Sequence, residues 1–333
     1  MVWIWLCGAF CSALAVSLIL LPIIISIAYR WNILDYPNGF LKCHKRATPY
    51  LGGVGLAIAS APGFLGFGEA GILGGWMFFG LCFLLTVGLL DDLWSLGPCQ
   101  KIAGQFIGTL LLVKAGLYLK YPLPFLPSYL NIPCSILWGL SIINAFNFVD
   151  VMDGLAVVIA IASSLVFLLF ALISNMFGVA FFLSFFLGGL AGFLIFNQPP
   201  AKIYLGDAGS LFIGGVLSMM LFIFPWGACD PLNIIIPAMV LCVPLIELIT
   251  LIVIRIYKEI PFYRGSPDHF CHYLQRKGWD KTFILIITFC YALAVGLSSI
   301  LCFLYPVSIW FAIGLFVAFI IGWLIFLFTD AFA

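Results

Sequence analysis

Between Val2 and Ala28 the sequence carries no charged side chain, and apolar runs of the same kind recur to its end. A backbone threaded through hydrocarbon must satisfy its own N–H and C=O groups, so such runs leave only helices or a closed β-barrel. A barrel needs polar residues at alternate positions, and the unbroken runs lack them. The expected fold class is therefore an all-α polytopic membrane protein. Composition agrees: of 333 residues, 65% are hydrophobic and 8% charged, where soluble domains carry roughly 25% charged residues. The first run has no basic residue before it and reads as a first span rather than a cleaved signal. A net charge of +1 gives no basic surface for nucleic acid. The 11 cysteines are scattered, mostly inside apolar runs, with no C-x-x-C pair. They read as small buried hydrophobes rather than a disulfide framework.

At about 20 residues per span, eleven transmembrane helices fit. They are expected near 3–29, 51–67, 71–90, 102–117, 129–143, 155–174, 177–196, 211–226, 232–254, 283–304 and 308–328. The basic residues orient them. With the N-terminus outside, the inner segments hold Arg30, Lys42, Lys45, Arg46, Lys101, Lys202, Arg255, Lys258, Arg264, Arg276, Lys277 and Lys281. The outer ones hold only Lys114 and Lys120, so the division is 12 to 2 and accounts for all 14. The positive-inside rule then places the N-terminus outside and the C-terminus in the cytoplasm. Asp91, Asp92, Asp150, Asp153, Asp207, Glu259, Asp268 and Asp280 fall on the same inner side, with only Glu69 and Asp230 outside. One site on the cytoplasmic face, built from several loops, explains this partition. No soluble domain, linker or repeat breaks the chain, so residues 1–333 read as a single integral-membrane domain.

Five inner segments carry the polar chemistry. The first, Arg30 to Gly55, contains KCHKRATPYLGGVG, a basic loop that is either a topology signal or a phosphate site. The second, LLDDLWSLGPCQK, puts Asp91 and Asp92 directly after a span. Such acids hold Mg²⁺ near phosphates or accept a proton; otherwise they are helix-end acids in water. Lys101 follows as a candidate phosphate partner or an interfacial anchor. The third, NAFNFVDVMDGLA from Asn144 to Ala156, sets Asp150 and Asp153 three residues apart. Acids at that spacing share a helix face and repel, so a cation, a proton or a cationic partner is expected beside them. The fourth, NQPPAKIYLGDAGS from Asn197, ends a helix at Pro199 and Pro200 and presents Asp207 at the start of the next. An acid there suits a phosphate site, or is simply a cap. Tyr204 is an interfacial aromatic or a stacking platform. The fifth, Arg255 to Lys281, is the longest and holds Arg264, Asp268, His269 and His272. Zinc needs more ligands than this loop clearly supplies, and contact with phosphate or sugar suits its basic neighbours better.

LLDD, NAFNFVDVMDGLA, the GDAGS segment and a histidine-bearing last inner loop occur in this order between these spans. From about residue 30 to 282 the chain resembles the polyprenyl-phosphate N-acetylhexosamine-1-phosphate transferase family, glycosyltransferase family 4. The resemblance implies a phosphoryl transfer at the inner leaflet of the bacterial cytoplasmic membrane. There a polyprenyl phosphate, usually undecaprenyl phosphate, attacks a UDP-sugar, UMP leaves, and Mg²⁺ or Mn²⁺ is required. Carried over residue by residue, Asp207 would be the metal ligand and Asp91 and Asp92 an essential pair. Asp150, Asp153 and Asn147 would line the nucleotide pocket. Asp153 and His269 join the pair as catalytic candidates. Lys101 would lie near the phosphates, and Asn197 and Tyr204 near the uracil. Lys45 or Arg46 would stand for the first loop's basic residue, with Arg264 and His272 as further substrate contacts. His269 and His272 match the first and last histidines of an H-x-H-H pattern whose middle member is here Cys271.

The pentapeptide-transferring branch carries a P-L-H-H-H run that this chain lacks. PDHFCHYLQRKGWDK is more similar to the branch that takes UDP-GlcNAc. The expected partners are thus a UDP-sugar, a polyprenyl phosphate and the bilayer, with a homodimer among the possible assemblies. The alternatives are a phospho-MurNAc-pentapeptide transferase and, from another class, a membrane transporter. Acids gathered at one face, with only Glu247 clearly mid-span, favour a one-sided enzyme site over a transport path.

Overall fold

A computed structural model describes residues 2–36, 47–120, 127–226, 231–261, 267–305 and 309–328. Its long apolar runs are helical, which pairs their backbone groups without water. Helix α1 (Val2–Arg30) leads to a short strand β1 (Leu34–Asp35), which pairs antiparallel with β2 (Thr48–Pro49). Next come α2 (Gly52–Ser60), a 3-10 stretch over Ala61–Ala70, α3 (Ile72–Trp94) and α4 (Pro98–Lys114). Helices α5 (Asn131–Val149), α6 (Leu155–Ile173), α7 (Phe177–Asn197), α8 (Gly206–Ser218) and α9 (Met220–Ile223) follow. The last part holds α10 (Ile236–Val240), α11 (Cys242–Tyr257), α12 (Phe270–Arg276), α13 (Lys281–Leu304) and α14 (Ile309–Phe328).

Three helices form the centre. In α6, in α7 and in the span formed by α8 and α9, 67%, 72% and 78% of the apolar window is buried, against 22% in α1, which is therefore peripheral. Helix α7 packs between α1 and α6, and α8 between α3 and α5. The α3–α8 crossing is tight. A Cβ on Gly88 would collide with the carbonyl of Asp207 and the backbone of Ala208. Glycine at that point lets the two backbones touch, and it brings the end of α3 against the start of α8. The β2 segment extends this join: Tyr204 N–H donates to the Pro49 carbonyl at 2.7 Å, and Gly52 N–H to the Tyr204 carbonyl at 3.1 Å. The first and fourth inner segments are thus stitched together by backbone.

Among the described residues seven helices are long and apolar enough to cross a membrane. There are eight if Asn233–Val240 and Cys242–Tyr257, bent by 79°, form one broken span. The protein is a multi-pass membrane protein, and seven or eight of the eleven expected spans stand on length and composition. Two of the others are short. Gly52–Gly68 is a shorter apolar helix, and α4 has 17 residues. The first turns of α4 are also polar: Gln100 accepts the Gly97 N–H at the helix start, while Lys101 and Gln105 belong to the site.

Candidate active site

Helix α3 stops where Ser95 turns left-handed, at φ 50°. The Leu96 N–H then donates to Asp91 Oδ1 at 2.7 Å, which fixes that carboxylate at the helix end. Its other oxygen lies 2.8 Å from Lys101 Nζ on α4. The same ammonium lies 2.8 Å from Asp207 Oδ2, in the first turn of α8. One lysine therefore bridges two acids from two helices, with 19% of its own side chain exposed and so within reach of solvent.

Asp92 faces the other way. Its two oxygens accept the N–H groups of Asp207 at 2.9 Å and Ala208 at 3.0 Å. A carboxylate on the first amides of a helix satisfies orphan donors and suits the positive end of the helix dipole. Gly206, at φ +72°, makes this approach possible, since a Cβ there would sit 2.7 Å from Asp92 Oδ2. The adjacent acids thus do different work: Asp91 holds the lysine and Asp92 holds α8.

Asn147, near the end of α5, donates from Nδ2 to Asp207 Oδ1 and to Ser210 Oγ, the latter at 3.0 Å. One turn earlier on α5, Asn144 donates to Gln105 Oε1 at 2.8 Å. Gln105 is fully buried, and among the described residues its Nε2 has no partner. This second polar layer under the site was not anticipated. Its signal was there, since Gln105 stands one turn after Lys101 and Asn144 one turn before Asn147.

Asp150 ends α5 and lies half-buried in the α5–α6 turn. Desolvation first, then the carboxylates of Asp207, Asp92 and Asp153, push its carboxyl well above the usual carboxylate range. Negative charge is crowded here, but Asp150 and Asp153 sit in the turn between two helices and not on one helix face as their spacing suggested. Asp153 accepts the Ala201 N–H at 3.3 Å and lies 3.6 Å from Lys281 Nζ.

The expected uracil contacts are placed differently from one another. Asn197 is buried, and both ends of its amide are engaged: Oδ1 accepts the Gly154 N–H and Nδ2 donates to the Ile203 carbonyl, each at 2.9 Å. It ties the third segment to the fourth and, in this structure, its amide is committed to that tie. Tyr204 is half-buried and hydrogen-bonded to Thr48. Burial first raises its phenol above the ordinary value.

The fifth segment docks on the α5–α6 turn. Gln275 Nε2 lies 3.2 Å from the Met152 sulfur, and the Arg255 guanidinium stacks over Phe148 at 4.9 Å. His269 is only 5% exposed and its Nδ1 meets Glu247 at 3.0 Å, so it is less open than the sequence suggested. His272 stands edge-on to it at 5.9 Å. Burial, with His269, Arg276 and Lys281 nearby, holds the His272 imidazole below its ordinary value. Lys45, Arg46 and Arg264 lie outside the described residues. Among the described residues no three His, Cys, Asp or Glu side chains gather as a metal cage. A metal here would have to rest on the Asp91 and Asp207 carboxylates and on oxygens from its substrate.

The family described as glycosyl transferase family 4 matches residues 75–224, which spans α3 to α8 and hence Asp91, Asp92, Lys101, Asn147, Asp150, Asp153 and Asp207. A probable undecaprenyl-phosphate N-acetylglucosaminyl 1-phosphate transferase of Bacillus subtilis is 29% identical over 325 residues, covering 94% of this chain and 88% of that one. A phospho-N-acetylmuramoyl-pentapeptide-transferase of Lactiplantibacillus plantarum is 27% identical over 287 residues, 77% of this chain and 84% of that one. One of the same name from Listeria monocytogenes serotype 4b is 30% identical over 226 residues, 60% of this chain and 67% of that one. With the order of its motifs and the meeting of α3, α4, α5 and α8 around one lysine, the chain belongs to glycosyl transferase family 4, the family that includes these lipid-linked sugar-phosphate transferases.

Proposed function

We propose that this protein transfers a HexNAc-1-phosphate, GlcNAc-1-phosphate foremost, from a UDP-sugar to undecaprenyl phosphate, releasing UMP and starting a cell-envelope glycan. The observation that carries this reading is the convergence of Asp91 and Asp207 on Lys101 Nζ, each at 2.8 Å. Phosphoryl transfer needs positioning and charge neutralisation more than covalent help from protein. Lys101 Nζ fills the point on which the two carboxylates converge; with the ammonium turned to the phosphates, the pair would suit Mg²⁺, which takes one or two carboxylates and completes its shell with water and phosphate oxygens. Asp207 and Asp91 would hold Mg²⁺, or Mn²⁺, and the ion would neutralise diphosphate charge. Asn147 orients Asp207, Asp92 keeps the first turn of α8 in place, and Lys101 supplies a cation for the phosphates. Asp150 and Asp153, at the edge of the same cluster, line the space for the nucleotide.

The B. subtilis relative supports GlcNAc, because it matches nearly the whole of both chains. The last inner loop lacks the P-L-H-H-H run, which also supports GlcNAc. The basic partition supports an N-terminus outside, a C-terminus in the cytoplasm and a site at the inner face of the bacterial cytoplasmic membrane. The test is purified protein with undecaprenyl phosphate and a panel of UDP-sugars, scored by UMP release. UDP-GlcNAc is the expected substrate, and release is expected to stop on chelation and return with Mg²⁺. Turnover of UDP-MurNAc-pentapeptide alone would move the protein to the other branch. No UMP from any donor would end the reading.

A further inference from the structure

Glu247 is a buried ionisable residue that the transfer reaction leaves unused. It lies on α11 shortly after the 79° break and is 2% exposed. An acid this deep is costly unless something engages it. Two groups of the fifth segment do: His269 Nδ1 at 3.0 Å and the Phe270 N–H at 3.4 Å, both on Oε1. Among the described residues His269 Nε2 has no hydrogen-bond partner.

A carboxylate is only an acceptor, so the imidazole proton must sit on Nδ1. That leaves Nε2 as the free position: a lone pair in the neutral ring, a second donor in the cationic one. An ion pair with the carboxylate, for which the 3.0 Å geometry is in place, puts a proton on each ring nitrogen. The other charged groups around the pair are Arg255 on α11, Asp268 with Lys258 held to it at 2.6 Å, His272, Arg276 and Lys281. Helix α14, which packs on α12, brings no titratable group. The loop that carries His269 meets the α5–α6 turn through Gln275 and Met152, between Asp150 and Asp153.

We propose that Glu247 is the positioning residue for His269: it fixes the proton on Nδ1 and presents Nε2 as a donor to the diphosphate undergoing transfer. This rests on the proposed function. Glu247 itself touches no substrate. It acts from within the bundle by setting the tautomer and charge of a ring at its edge.

The chain has only 3 histidines, His44, His269 and His272, so ring ¹⁵N spectra of labelled protein are simple. The His269 signals are assigned by their loss in His269→Gln. In wild-type protein His269 is expected to carry a proton on each ring nitrogen. In Glu247→Gln that doubly protonated signal should be lost. Glu247→Gln should also lower kcat for UMP release about tenfold or more, with KM for the UDP-sugar little changed. The double variant Glu247→Gln/His269→Gln should be no slower than His269→Gln alone. A neutral wild-type ring overturns the proposal, whichever nitrogen holds its proton. So does an unaltered ring spectrum in Glu247→Gln, or losses that multiply in the double variant, as for a purely structural anchor. If Glu247→Gln does not fold, the wild-type spectrum decides. The spectrum needs no turnover, so it separates this proposal from the functional reading: wild-type protein with the expected ring but no UMP release overturns the reading and the role in transfer together.

Discussion

Adjacent side chains on a helix diverge, and Asp91 and Asp92 show what that means for roles. Asp91 meets Lys101, while Asp92 takes the first two amides of α8. Asp92→Asn leaves one carbonyl oxygen where two acceptors were needed. It should lower unfolding stability by about 1–2 kcal/mol, the size of a lost helix cap, as well as activity. Asp91→Asn should keep its melting temperature and lose at least about 100-fold in kcat. Thermal unfolding in detergent beside UMP release separates the two, and equal melting temperatures would show that Asp92 acts chemically instead. Asp207→Asn should abolish turnover and weaken the response to Mg²⁺ while the protein still folds. Near-normal activity at ordinary Mg²⁺ would remove it as a ligand. Asp150 gives a pH signature. Its carboxyl is raised in the folded protein by burial and by its acidic neighbours, so the folded state binds the proton more tightly than the unfolded one. Its own contribution to metal-free stability should therefore be fully present below about pH 4, the unfolded value, and decline as pH climbs through the raised folded value. Asp150→Asn should flatten that decline in a series of melting curves. The acids were legible in the sequence because charge stands out against hydrocarbon. The tie that Asn197 makes between Gly154 and Ile203 was not, because it is a contact in space that no spacing encodes.

Among the elements, the crossing of α3 and α8 decides whether the site forms. Gly88→Ala places a methyl against the Asp207 carbonyl and the Ala208 backbone, which cannot give way as a side-chain tip would. Overpacking of this kind costs about 1–3 kcal/mol and should also lower kcat, because it separates Asp91 from Asp207. On the same helix Gly75→Ala meets nothing within 4 Å and is the control. If both variants keep wild-type stability and rate, the crossing is not what holds the site. The sequence showed both glycines alike, and only the packing tells them apart. Span boundaries were legible wherever an apolar run was long, as in α1, α6, α7 and α13. They were less so for α4, whose polar first turns shorten its apolar stretch, and for the run that breaks at Leu241. The β1–β2 pairing escaped notice because two-residue strands leave no periodicity to read.

For the whole molecule, the proposed orientation is open to impermeant labelling of single cysteines introduced in intact cells. A cysteine at Trp31 should resist the reagent and one at Tyr118 should react, and the reverse pattern would invert the topology. A last consequence lies in where α3 crosses α8. At 1.5 Å per residue, Asp91 hangs about 5 Å beyond Gly88, whereas Ile72 at the far end of α3 lies about 24 Å away. The crossing is therefore a fulcrum set close to the working end of a long lever. A helix that tilts about it to match a thicker or thinner bilayer swings its far end widely and its carboxylates hardly at all. Proteoliposomes that differ only in acyl-chain length should accordingly show similar kcat over a range of thickness, with Gly88→Ala narrowing that range.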